Sequence, residues 1–104
     1  MKQPIKLSTH ACKRARERYQ WSSDTLERIA KKAFESGLKR NNTKGILKKY
    51  LDSKYKNHID KKSFYIYGET IYVFSDEKKL ITVLPLPLAY RALAKVLQQK
   101  QQKD

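Results

Sequence analysis

At 104 residues the chain has room for one domain with a single modest core. Twenty-four Lys and Arg against ten Asp and Glu give a formal charge of +14, which points to a polyanionic partner, nucleic acid first. One cysteine excludes an internal disulfide framework and any Cys-based zinc site, two histidines are too few for a convincing transition-metal centre, and no stretch reads as a membrane span or signal-peptide core. The expectation is a cytoplasmic protein with no cofactor and no membrane contact.

Residues 1 to 7 are short, basic and extended, able to pair with a later strand. Ser8 or Thr9 is the expected N-cap of a first helix, its hydroxyl accepting an otherwise unsatisfied first-turn amide. At about 100° per residue that helix has three sectors rather than the usual two. Ala11, Cys12, Ala15 and Tyr19 form an apolar one, Lys13 and Arg16 a solvent-facing one, and His10, Arg14 and Glu17 a third with Arg18 beside it. Tyr19-Gln20-Trp21 ends the helix. Asp24 and Glu27 have capping-box spacing, and a second helix carries Leu26, Ile29, Ala30, Ala33 and Phe34 as its apolar stripe up to Gly37, a residue suited to the left-handed position after a helix.

Arg40 to Thr43 reads as a turn. Ile46, Leu47, Tyr50, Leu51 and Tyr55 then give the stripe of a third helix. Between Lys39 and Lys62 nine basic residues face two acidic ones, the densest positive stretch of the chain and a candidate arm along a phosphate backbone. His58 within it reads as an exposed bystander.

From Ser63 the period becomes extended. Phe64 to Tyr67 and Thr70 to Ser75 flank Gly68-Glu69, a hairpin signal, and Lys79 to Leu84 follows after Asp76 to Lys78. Alternation places Ile71 and Val73 opposite Tyr72 and Phe74, and Ile81 with Val83 opposite Thr82. Pro85 and Pro87 stop the last strand. A terminal helix follows with Leu93, Val96 and Leu97 as its apolar side. The expected fold is α+β: N-terminal helices on one face of a three- to four-stranded antiparallel sheet, with a C-terminal helix. Residues 1–97 form the single domain and 98–104 a polar tail or frayed helix end.

The first helix suggests chemistry. RNA cleavage needs a group that moves the proton of the ribose 2′-hydroxyl and cations that hold the crowded phosphorus. A histidine can do the first and arginines the second. His10 is the candidate acid or base, Arg14 and Arg18 the candidate phosphate ligands, Glu17 an orienting partner, and Thr82 a polar strand residue able to reach the same phosphate. Arg16, Lys44, Lys48 and Lys49 are candidate nucleic-acid contacts, with Tyr65, Tyr67 and Tyr72 as candidate base-stacking rings. No paired-carboxylate magnesium site or phosphate-cradling glycine loop is present, so any cleavage is expected to be metal-independent.

His10-Ala11-x-x-Arg14-x-x-Glu17-Arg18, Ile66-Tyr67-Gly68 with Ile71 to Phe74, and Leu80-Ile81-Thr82-Val83-x-Pro85 together resemble a family of small uncharacterised proteins of bacteria and phages. That family is similar in layout to the barnase, EndoU, colicin and RelE class of metal-independent ribonucleases. The resemblance covers about residues 8–85 and implies His10, Arg14, Arg18 and Thr82 in one cleft. It also implies an RNA substrate and a toxin-like or phage-encoded role, with a cognate inhibitor or host protein as a possible partner; the helix near Lys44 to Tyr55 looks like an insertion. The alternatives are a non-catalytic nucleic-acid-binding or phage accessory protein using the same basic surface, and an inhibitor of a host nucleic-acid enzyme.

Overall fold

In the computed structural model, which describes residues 5–56, 63–75 and 78–103, a five-stranded sheet lies between two layers of helices. The elements run β1 (Lys6–Leu7), α1 (Thr9–Tyr19), α2 (Ser23–Ser36), β2 (Leu38–Lys39), a 3-10 turn (Arg40–Asn42), α3 (Gly45–Lys56), β3 (Ser63–Tyr67), β4 (Thr70–Phe74), β5 (Lys79–Pro85) and α4 (Leu88–Lys103). The expected extended stretch before Ile5, His58, and Asp76 and Glu77 of the last strand connection lie outside the described residues, as does the side chain of Tyr55.

The α+β fold agrees with the sequence reading, with two differences. The sheet has five strands in the order β1-β5-β4-β3-β2, and β1 pairs with β5 in parallel through Lys6 with Lys79 and Leu7 with Leu80. Helices also cover both faces rather than one. All five residues of β4 are buried, so both faces must be covered. Tyr65, Tyr72, Phe74, Leu80 and Val83 pack with Ala11 and Ala15 of α1 and Leu26, Ala30 and Ala33 of α2. On the other side Phe64, Ile66, Ile71 and Val73 pack with Leu47 and Leu51 of α3 and Ala94 and Leu97 of α4. The absence of a polar face in Phe64 to Tyr67 and Ile71 to Phe74 is the sequence signal for that second layer.

Local chemistry sets the boundaries. Ser8 caps α1, its Oγ accepting from the Ala11 N–H at 3.0 Å. α2 is capped by Ser22, whose Oγ accepts from Thr25, and not by Asp24, which lies inside the first turn. Gly37 is not left-handed: its φ is −69°. Glycine is needed there for space, because a Cβ would sit 2.4 Å from the Ala33 carbonyl oxygen and 3.1 Å from that of Ile66. In the β3–β4 hairpin Tyr67 pairs with Thr70, and Gly68 alone of the two turn residues has positive φ (63°), as a type II′ turn requires.

Two helical stripes are rotated from their expected positions. Ile46 is 58% exposed while Leu47 and Leu51 are buried. In α4 the inward side is Tyr90, Leu93, Ala94 and Leu97, leaving Val96 48% exposed. The α4 helix continues through the polar stretch to Lys103, and Gln98 Nε2 donates to the Ser36 carbonyl at 3.3 Å. No helix among the described residues is long and apolar enough to cross a membrane.

Candidate nucleic-acid interface

The α1 helix lies along β5 where β5 has lost its strand neighbour. Among the described residues β1 pairs with β5 only at Lys79 and Leu80. Beyond them Ser8 Oγ donates to the Ile81 carbonyl at 2.8 Å and Arg18 Nη1 donates to the Val83 carbonyl at 3.0 Å. Pro85, with no N–H to offer, ends the strand. A helix and an arginine thus close a sheet edge that would otherwise present unpaired backbone groups.

With Ala11 and Ala15 buried against the sheet, the rest of α1 turns outward. Arg14 stands between two neighbours one turn away. Its Nε donates to His10 Nε2 in a long hydrogen bond of 3.4 Å, and its Nη1 pairs with Glu17 Oε1 at 3.1 Å. The first contact uses the Nε2 lone pair, so it suits the tautomer protonated at Nδ1. His10 and Glu17 are exposed and Arg14 partly so, and Lys13 and Arg16 stand free of the core beside them. The line His10, Arg14, Glu17 expected from helical spacing is therefore present as one connected surface row.

The other candidates do not join it. Arg18 commits a guanidinium N–H to the strand edge. Thr82 is opposite Val73 in the β4–β5 register, on the sheet face covered by α3 and α4. This corrects the expectation that it faces the His10 sector. Thr82 alternates with Val83, and it is Val83 that packs toward α1, so Thr82 turns to the other face; before it a bulge, with Phe74 paired to Leu80 and Val73 to Thr82, makes Ile81 the extra residue. The bulge also separates Ile81, which packs toward α3 and α4, from Val83, which packs toward α1 and α2. His10, Arg14, Arg18 and Thr82 therefore do not line one cleft.

Tyr72, 1% exposed, lies in the core and is corrected as a stacking candidate, and Tyr65 is corrected as well. It is 9% exposed, with its ring 5.2 Å from that of Phe34 and 5.5 Å from that of Phe74 between centroids, so it is a core residue and offers no face to a base. Burial raises its phenol pKa above the ordinary value. Tyr67 is half-buried on the same side. Lys44, Lys48 and Lys49 are exposed, but Lys48 and Lys49 belong to α3, across the sheet from α1. The candidate cations of α1 and those of α3 thus lie on opposite sides of the sheet. Arg40, in the turn before α3, is held by Asp52.

Tyr19 and Trp21, expected at the end of the first helix with Tyr19 in its apolar sector, form a feature of their own. They stack with ring centroids 4.5 Å apart and planes 19° from parallel. Two aromatic residues spaced i, i+2 across a helix stop are the available sequence signal. Comparison with protein-family models, curated proteins and solved structures finds no match for this chain.

Proposed function

We propose that this protein binds nucleic acid through the outward face of α1. The observation that carries the reading is the composition of that face: Lys13, Arg14, Arg16 and Arg18 lie on one eleven-residue helix whose only acid, Glu17, is already paired with Arg14. Cations on a rigid helix at a protein surface neutralise successive phosphates and release counterions, giving an affinity that falls steeply with salt.

Fluorescence anisotropy of labelled RNA and DNA over a salt series tests this. The expected result is a steep linear fall of log K with log salt. Replacing Lys13 and Arg16 by Ala should flatten the slope by about 0.7 to 0.9 for each phosphate no longer neutralised. Salt-independent binding, or none at low salt, overturns the reading.

The hydrogen bond between Arg14 and His10 favours a second reading, metal-independent RNA cleavage by attack of the 2′-hydroxyl. An exposed imidazole beside a guanidinium supplies a proton-transfer group next to a phosphate ligand. Wild-type protein with chelator present should then leave 2′,3′-cyclic phosphate ends, and His10→Ala should abolish them while retaining binding. Intact RNA after prolonged incubation with wild type leaves the binding reading alone.

A further inference from the structure

We infer that Trp21, stacked on Tyr19 at the end of α1, is a platform for an unpaired base, so that the nucleic acid taken is single-stranded; this rests on the nucleic-acid reading above. The pair is held in place from three sides. Gln20 adopts the left-handed conformation (φ 60°, ψ 32°), uncommon for a residue with a side chain, and its N–H closes the helix on the Ala15 and Arg16 carbonyls. The Trp21 N–H returns to the Ala15 carbonyl at 3.3 Å, so the chain doubles back and brings ring 21 onto ring 19. The Tyr19 hydroxyl accepts from Thr70 Oγ1 at 3.0 Å, which anchors the lower ring to the sheet.

The surroundings suit a strand. Tyr67, the cross-strand partner of Thr70, is a third half-buried ring on the same sheet face. These three rings differ from the enclosed aromatics of that face, Tyr72 at 1% and Phe74 at 0% exposure, in keeping part of their surface in water. Arg18 precedes Tyr19 and is fixed to Val83, and exposed Arg16 lies on the same last turn. Every base has a π-face and stacks on such a ring without regard to sequence, whereas bases within a duplex are stacked on one another and offer no face. Aromatic rings beside phosphate-holding arginines therefore select an unpaired strand.

Trp21 is the only tryptophan, so its emission reports on the platform directly. The full-length chain is titrated at low salt with oligothymidylate and oligouridylate of about 12 nucleotides and with a duplex of equal length, while anisotropy of a labelled strand reports binding. The expected result is quenching by the single strands and not by the duplex. Trp21→Ala should lower the preference for single strand over duplex about 5- to 100-fold, and Trp21→Phe should restore most of it. Binding of a single strand with unchanged emission, or equal quenching by the duplex, overturns the inference and leaves the nucleic-acid reading standing. Absence of binding to either form overturns both. If circular dichroism shows Trp21→Ala unfolded, the wild-type emission together with the Trp21→Phe preference decides.

Discussion

The guanidinium of Arg18 donates to the carbonyl of Val83 across 65 positions of sequence, 3.0 Å from Nη1 to oxygen. The residue chosen from spacing as a phosphate ligand thereby also serves as a clasp between α1 and the open edge of β5. Arg18→Ala should lower stability by about 1 kcal/mol, a charged hydrogen bond discounted for its partial exposure. Arg16→Ala, on the free side of the helix, should leave stability within about 0.5 kcal/mol. Denaturant midpoints at constant m-value separate the two, and equal midpoints would remove the clasp.

Ser8 makes two bonds with one hydroxyl, accepting from Ala11 and donating to Ile81. Ser8→Ala loses the helix cap and the tie to the sheet together and should cost about 1 to 2 kcal/mol. Ser8→Asp keeps an acceptor for the cap but has no proton for Ile81, so it should fall between Ala and wild type in thermal unfolding.

Gly37 and Gly68 are needed for different reasons, and alanine at each should show it. Gly37→Ala drives a Cβ into backbone at Ala33 and Ile66, and should cost about 1 to 3 kcal/mol by forcing the α2–β2 junction to move. At Gly68 the space is open but φ is +63°, so alanine should cost about 1 to 2 kcal/mol in backbone strain. Asparagine should recover part of that at 68 and none at 37. Unfolding midpoints of the four variants provide the check.

Tyr72 couples stability to alkaline pH. Burial, then the nearby phenol of Tyr19 and, least, that of Tyr67 hold its pKa far above the ordinary 10.0, opposed by its hydrogen bond with Thr70. Tyr50 and Tyr65 shift in the same direction. A raised folded-state pKa means the unfolded chain ionises first. The contribution is complete below about pH 10 and declines above it, by at most about 1.4 kcal/mol per pH unit for each tyrosine. Denaturation between about pH 9 and 11 should show this fall, and Tyr72→Phe should make it shallower. A stability that stays level with rising pH would contradict the enclosed position of Tyr72.

Much of the fold is legible in local chemistry. The Ser8 cap, the α2 stripe from Leu26 to Phe34, the Gly68 hairpin and the sorting of Tyr72 and Phe74 from Ile71 and Val73 each depend on neighbours within a few positions. So does the row His10, Arg14, Glu17, which helical geometry alone aligns. Tyr65 shows the limit: its alternation is correct, but whether a ring faces solvent or core depends on Phe34, a residue from another element.

The sequence by itself determined the four helices, the strands β3 to β5, the charge and the surface row of α1, because periods of 3.6 and 2 and residue-specific capping act over one or two turns. Only the tertiary structure decided that β1 joins β5 in parallel, that Leu38–Lys39 adds a strand beside β3, and that Thr82 lies across the sheet from His10. The physical reason is that these depend on which face of the sheet α1 packs against and on long-range pairs such as Arg18 with Val83. Such pairs are selected by the packing of the whole chain and leave no periodic trace in either partner.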